Sequence, residues 1–107
     1  MYLPKMYTQL NEKYPDIMNS YKGLGKLCRN AGSLEHKVQD LIKLGIAIGV
    51  NSRGAVMSAT RKSLESGATR EEITHAVLLS LTTSGFPNMV AAMGWVEELF
   101  DKVNEKS

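Results

Sequence analysis

Residues 34–67 read LEHKVQDLIKLGIAIGVNSRGAVMSATRKSLESG, and this stretch decides the fold. The first half places Leu34, Val38, Leu41, Ile42, Gly45 and Gly49 at the spacing of one helical face. Leu44, Ile46 and Ile48 widen that face to roughly 200° of the helical wheel at ~100° per residue. A single core on one side does not need so broad an arc, so a second partner, either a helix or another subunit, is expected. The chain then breaks at Gly49-Val50-Asn51-Ser52. A helix rich in small residues follows from about Ser52 to Ser66, with Asn51 or Ser52 as its cap and Gly67 as a left-handed terminator.

Outward from this hairpin, every segment reads as helix. Thr69-Arg70-Glu71-Glu72 is a capping box, with Thr69 at the N-cap and Glu72 three residues on. The fifth helix it opens is expected to bury Ile73, Ala76, Val77, Ser80, Leu81 and Ser84. Gly85-Phe86-Pro87 breaks the chain, and Pro87 suits the first turn of a sixth helix. That helix carries Val90, Met93, Gly94, Val96, Leu99, Phe100 and Val103, with a frayed tail over Asn104–Ser107. Upstream, Pro4–Lys13 reads as a short helix ended before Pro15. Pro15 opens a second helix with Ile17, Met18, Tyr21 and Leu24 on one side. Asn30-Ala31-Gly32 is a loop, and Ser33 is the expected N-cap of the long helix. No alternation of strand type appears, so the class is all-α, about six helices in a single domain, 1–107.

Composition narrows the function. The chain has 107 residues, 43% apolar and 22% charged, with a net charge of +2. Its 13 basic residues alternate with 11 acidic ones, so no basic stripe for nucleic acid forms. No apolar run approaches the ~20 residues of a membrane span, and the N-terminus has no apolar signal region. Cys28 is the single cysteine. It excludes an intrachain disulfide, fits the cytoplasm, and reads as a small buried apolar residue. His36 and Asp40 at i, i+4 supply only two metal ligands, and the glycines are isolated. No metal and no cofactor are expected.

The runs VQDLIKLGIAIG (38–49), VNSRGAVMSATRKSLESGATREEI (50–73) and GFPNMVAAM (85–93) resemble the carboxymuconolactone decarboxylase family. That family includes the γ-carboxymuconolactone decarboxylases and the alkylhydroperoxidase D proteins. The likeness covers roughly 34–99, and its most specific parts, ESGATREEI and SGFPNMVAAM, are marks of fold. It implies an alkylhydroperoxidase D-like helical fold and a homo-oligomer, a trimer or hexamer. The redox branch, with its peroxiredoxin chemistry, uses a glutamate, a C-x-x-C pair and a histidine. Those places fall here on Asp40, on Ser52 and Ala55, and on Ala59. The decarboxylase branch keeps the same histidine, again the place of Ala59. Peroxide reduction needs one thiol to attack and a second to resolve the sulfenic acid. A serine hydroxyl does neither, so the thiol route is not expected.

Several residues remain as site candidates, each with a plainer reading beside it. Asp40 sits about 140° from the centre of its helix's expected core face at ~100° per residue. It reads either as a solvated acid beside Lys37 and Lys43, or as a half-buried carboxylate facing the fourth helix and able to act as acid or base. Ser52 falls at the family's first thiol place. Ala55 and Ala59 read as close packing or as the floor of an emptied pocket. Arg53 reads as a surface residue or as a binder of a carboxylate, beside the anion-attracting start of a helix. His75 flanks an apolar stripe and is one of two imidazoles available as a base. Taken together, Asp40, Ser52 and His75 are the catalytic candidates. Arg53, Ala55 and Ala59 are the substrate-binding candidates. If a ligand site exists, it is expected between the third and fourth helices, near Asp40, Ser52 and Arg53, for a small carboxylate-bearing organic molecule. The residues leave open an enzyme, a non-catalytic binding or scaffold protein, and an interaction protein.

Overall fold

The computed structural model describes residues 5–106, with side chains over 5–104. The expected helix start at Pro4 and the terminal Ser107 lie outside the described residues. The chain folds as α1 (Lys5–Lys13), α2 (Pro15–Arg29), α3 (His36–Val50), α4 (Arg53–Glu65), α5 (Arg70–Leu79), a 3₁₀ turn (Ser80–Thr82) and α6 (Phe86–Lys106). Among the described residues there is no strand, and the class is all-α. The chain divides into two compact units, Met1–Leu34 and Glu35–Ser107.

The first unit is the α1–α2 pair. Tyr14 separates the helices, and Pro15 occupies the first turn of α2, where a missing amide donor is harmless. Gly23 and Gly25 do not end α2; it continues to Arg29. No residue of α1 or α2 is buried within the chain. The Lys22 ammonium lies 5.7 Å from the centroid of the Tyr7 ring. Cys28 is exposed, which corrects its reading as a buried apolar residue.

The second unit is built on the α3–α4 hairpin. Asn51 closes α3 in the left-handed region at φ 62°, a conformation asparagine tolerates. Its amide and that of Ser52 bond back to Ile48 and Ala47 carbonyls at 2.9 and 3.4 Å. Ser52 then caps α4, its Oγ accepting from the Ala55 amide at 3.2 Å. At the other end Gly67 takes φ 99°, and the Ala68 amide bonds to the Ser63 carbonyl at 2.9 Å. This is the glycine terminator read from the sequence.

Leu44, Ala47 and Ile48 from α3 pack against Val56 and Ala59 of α4, Ile73 and Val77 of α5, and Met89, Ala92, Val96 and Phe100 of α6. Leu44, Ile48, Val56, Ile73 and Val77 are wholly buried. Truncating one such leucine or isoleucine to alanine typically costs ~2–5 kcal/mol. Two polar side chains in the core serve the backbone of their own helix. The Thr60 and Ser63 hydroxyls donate to the Val56 and Ala59 carbonyls at 2.7 and 2.8 Å.

The structure corrects the reading of α3. Its buried side is Asp40, Leu44, Ala47 and Ile48. Leu34, Val38, Ile42, Gly45 and Gly49 are exposed in the single chain, as are Ile46 and Val50. Periodicity marks how wide an apolar arc is; the neighbours α4 and α6 decide which part of it is covered. Four smaller differences follow from local contacts. The N-cap of α3 is Glu35, without a side-chain cap bond, in place of Ser33; Lys37 ties the first turn to Glu72 at 3.1 Å. The fifth helix stops at Leu79 and tightens into the 3₁₀ turn, which leaves Leu81 exposed. On α6 the inward positions are Met89, Ala92, Val96, Leu99 and Phe100, so Val90 points to solvent. That helix also runs on to Lys106 rather than fraying at Asn104.

The capping box is formed as read. The Thr69 Oγ accepts from the Glu72 amide at 3.0 Å, and a Glu72 carboxylate oxygen accepts from the Thr69 amide at 2.9 Å. The Thr69 amide, and after it the Lys37 ammonium, holds the Glu72 carboxyl below the usual carboxylate range. Thr69→Ala should therefore cost roughly 0.5–2 kcal/mol in denaturant unfolding at neutral pH. Because Glu72 binds its proton more weakly folded than unfolded, its stabilisation is present above the unfolded carboxylate pKa. It is lost as pH falls through the lowered folded value. The melting-temperature gap between wild type and Glu72→Gln should narrow over that acidic range, and a gap independent of pH would show that Glu72 does not cap α5.

Candidate functional site

The two ends of α4 hold the residues singled out on the α3–α4 hairpin. At its start, the Ser52 hydroxyl is engaged as the helix cap. Arg53 forms an ion pair with Glu98 of α6. Both side chains are well exposed, so the pair contributes about 0–1 kcal/mol. Ala55 is exposed, whereas Ala59, one turn deeper, belongs to the core cluster. The pair is therefore not the floor of one empty pocket: the core fills the space beside Ala59, and solvent faces Ala55.

Asp40 sits at the opposite end. It is 4% exposed, which corrects the reading as a solvated acid; it faces the end of α4, as the other reading had it, but is buried more deeply than half. The Ser66 hydroxyl donates to its Oδ2 at 2.7 Å, and Ser66 is the residue that closes α4. The 13 residues of α4 rise ~20 Å from end to end at ~1.5 Å each. The structure thus separates Asp40 from Ser52 and Arg53 by about the length of that helix. His75 is exposed on α5, and His36 is exposed at the first residue of α3. The catalytic candidates do not converge on one point. Among the described residues, no group of three or more His, Cys, Asp or Glu side chains is placed to hold a metal ion.

A broad concavity lies elsewhere, between α3 and α5. This groove of about 680 Å³ is floored by Val38, Leu41, Ile42, Gly45, Ile46 and Gly49, with Ala76 and Leu79 opposite. Glu72 and His75 line it on α5, while Ser80, Thr83 and Ser84 line it beyond that helix. The hydroxyls of those three residues donate to the Val77, Leu79 and Ser80 carbonyls, respectively. His75 also borders a second hollow of about 440 Å³ between α5 and α6. There the Arg70 guanidinium lies 4.7 Å from the Phe100 ring centroid and donates to Asn104 Oδ1 at 2.5 Å.

The sequence signal for the α3–α5 groove was the excess width of the apolar arc on α3. It pointed to a missing partner but not to a cavity. The groove supplies apolar surface, one imidazole and a paired carboxylate, and among the described residues it presents no thiol. A Cβ added at Gly45 or Gly49 would meet nothing within 4 Å. Each mid-helix glycine costs roughly 0.5–1 kcal/mol relative to alanine, and packing within this chain does not require either.

Known proteins match this helical architecture in sequence. The chain matches the carboxymuconolactone decarboxylase family over residues 15–98 and belongs to that family. It is 32% identical over 91 residues to an uncharacterized protein of Methanocaldococcus jannaschii, covering 84% of this chain and 88% of that one. It is 25% identical over 88 residues to an uncharacterized protein of Cupriavidus necator, covering 82% and 78%. The family match spans α2 to α6 and so takes in both ends of α4 and the α3–α5 groove. Among the described residues, no helix is long and apolar enough to cross a membrane.

The Asp40–Ser66 bond is a partly buried polar tie between α3 and the end of α4. Ser66→Ala should lower stability by about 1.5–3 kcal/mol, the range for a hydrogen bond to a charged group. Chemical denaturation at neutral pH measures it. A loss below ~0.5 kcal/mol, the low end for any hydrogen bond, would mean that this bond does not hold the hairpin together.

Proposed function

We propose that this protein is a thiol-independent member of its family that works as a homo-oligomeric binding module rather than as a peroxidase. One observation carries the reading: each place to which the family's relay maps serves the fold. Ser52 caps α4, Ala55 and Ala59 carry no reactive group, and Asp40 is held by Ser66 at the far end of the helix. Peroxide reduction by this route requires a thiolate to attack the O–O bond and a second thiol to displace water from the sulfenic acid. Cys28, on α2, is the single thiol of the chain and lies outside those places. One cysteine in 107 residues is also the usage of a reducing compartment, and the cytoplasm is the proposed location.

A second reading is favoured by Arg53. It stands in the first turn of α4, where helix amides attract anions. A small organic carboxylate could bind there by displacing Glu98 from the guanidinium, with Ser52 at its side. An acid or base for the reaction would then have to come from a neighbouring copy, since proton transfer needs hydrogen-bond reach. This is the decarboxylase-like alternative, and calorimetric titration with small organic carboxylates tests it. Binding lost in Arg53→Ala would support it, and binding unchanged by Arg53→Ala and Asp40→Asn would remove it.

For the primary reading, light scattering at low micromolar concentration should return a multiple of the 11.8 kDa chain mass, a trimer or hexamer. A monomer overturns it. A hydroperoxide assay with a dithiol donor should show no turnover above background, and activity abolished by Cys28→Ser would overturn the thiol-independent assignment.

A further inference from the structure

The hollow between α5 and α6 differs in kind from the apolar groove beside α3. Glu71, His75 and Leu78 recur at i, i+4 and i+7 along α5 and form one stripe of its wall. Glu97 and Phe100 line it from α6. Arg70, the first residue of α5, stands at one end, and Leu78 stands at the other, ~12 Å away at ~1.5 Å per residue. The space of about 440 Å³ falls within the ~300–1,000 Å³ of small-molecule pockets.

The fold treats the two kinds of charge in this hollow differently. The Arg70 guanidinium is fixed, lying 4.7 Å from the Phe100 ring centroid and donating to Asn104 Oδ1 at 2.5 Å. Arginine carries five N–H donors, so this bond leaves others to meet an anion. Among the described residues, no hydrogen bond or ion pair engages the side chains of Glu71, Glu97 or His75. The next acid along each helix is matched within the chain, Glu72 by Lys37 and Glu98 by Arg53. Two unmatched carboxylates on either side of one hollow favour a cation between them.

We propose that this hollow binds a free α-amino acid with an aliphatic side chain. The carboxylate of the ligand meets the Arg70 guanidinium, and its ammonium lies between Glu71 and Glu97. Its side chain runs along α5 towards Leu78, which is 51% exposed. Arg70 and Glu71 are consecutive, with Cα atoms ~3.8 Å apart, so opposite charges enter the hollow close together, as they stand in an α-amino acid. A simple carboxylate would leave the two glutamates without a cation. A simple amine would leave the guanidinium without an anion. The proposal extends the binding-module reading by naming a ligand. It uses residues of one copy alone, so the oligomeric state that tests that reading does not bear on it.

The experiment titrates the full chain with L-leucine and follows amide-resolved NMR spectra. Two truncated probes run beside it: isocaproate, which lacks the ammonium, and isoamylamine, which lacks the carboxylate. L-Leucine should shift amides within residues 70–78 and 97–100. It should bind about tenfold or more tightly than either truncated probe, the factor that one hydrogen bond to a charged group supplies. Glu97→Gln should weaken L-leucine without weakening isocaproate, and Arg70→Gln should weaken L-leucine without weakening isoamylamine. Both side chains are exposed, and circular dichroism checks that each variant is folded. Arg70 also opens α5, so Glu97→Gln decides the matter if Arg70→Gln misfolds. L-Leucine that shifts no amide, or only amides elsewhere, overturns the site. A truncated probe that binds as tightly as L-leucine, or L-leucine binding that survives Glu97→Gln unchanged, overturns the amino-acid assignment.

Discussion

The second unit depends on one backbone constraint, the left-handed turn at Asn51. At φ 62° it ends α3 and frees Ser52 to start α4 a residue later. The two helices are thereby folded back on one another. Leu44, Ala47 and Ile48 then meet Val56 and Ala59, and α5 and α6 complete the core around them. The turn stabilises little by itself. Its effect is to bring two apolar faces together at low entropic cost, and burial of those faces does the rest.

The polar groups of the hairpin are divided between its ends. Ser52 and Arg53 hold the open end, one through a helix amide and the other through Glu98. Asp40 and Ser66 hold the closed end through a partly buried hydrogen bond. Reactive chemistry needs its groups within a few ångströms of one another. Helix α4, ~20 Å long at 1.5 Å per residue, keeps these groups apart. The same residues therefore serve the hairpin while standing too far apart to act on one reacting group.

The outer side of α3 is in tension with the stability of a lone chain. Apolar side chains remain in water, and two glycines loosen the helix beneath them. Neither feature favours the isolated chain. Both favour close contact with another apolar surface, since burying apolar area gains roughly 25 cal/mol per Å² and small residues let helix backbones approach. The core of the second unit and its outer groove are thus opposite faces of one helix, and residues such as Leu41 lie between them.

The sequence by itself determined what local chemistry decides. The helices and most of their boundaries were legible, because Asn51, Ser52, Gly67, Thr69 with Glu72, and Pro87 act within a few residues of themselves. The all-α class and the family followed from the same stretches. Only the tertiary structure decided which arc of α3 is buried. Apolar periodicity is equally strong on both sides, and the choice is made by α4 and α6, which are distant in sequence. For the same reason the sequence left Asp40 open between a solvated acid beside its lysines and a half-buried carboxylate facing α4. A residue 26 positions away, Ser66, supplies a hydrogen bond to it. The candidate site shared this limit: spacing along a helix names the residues that share a face, but not which end of the next helix they meet.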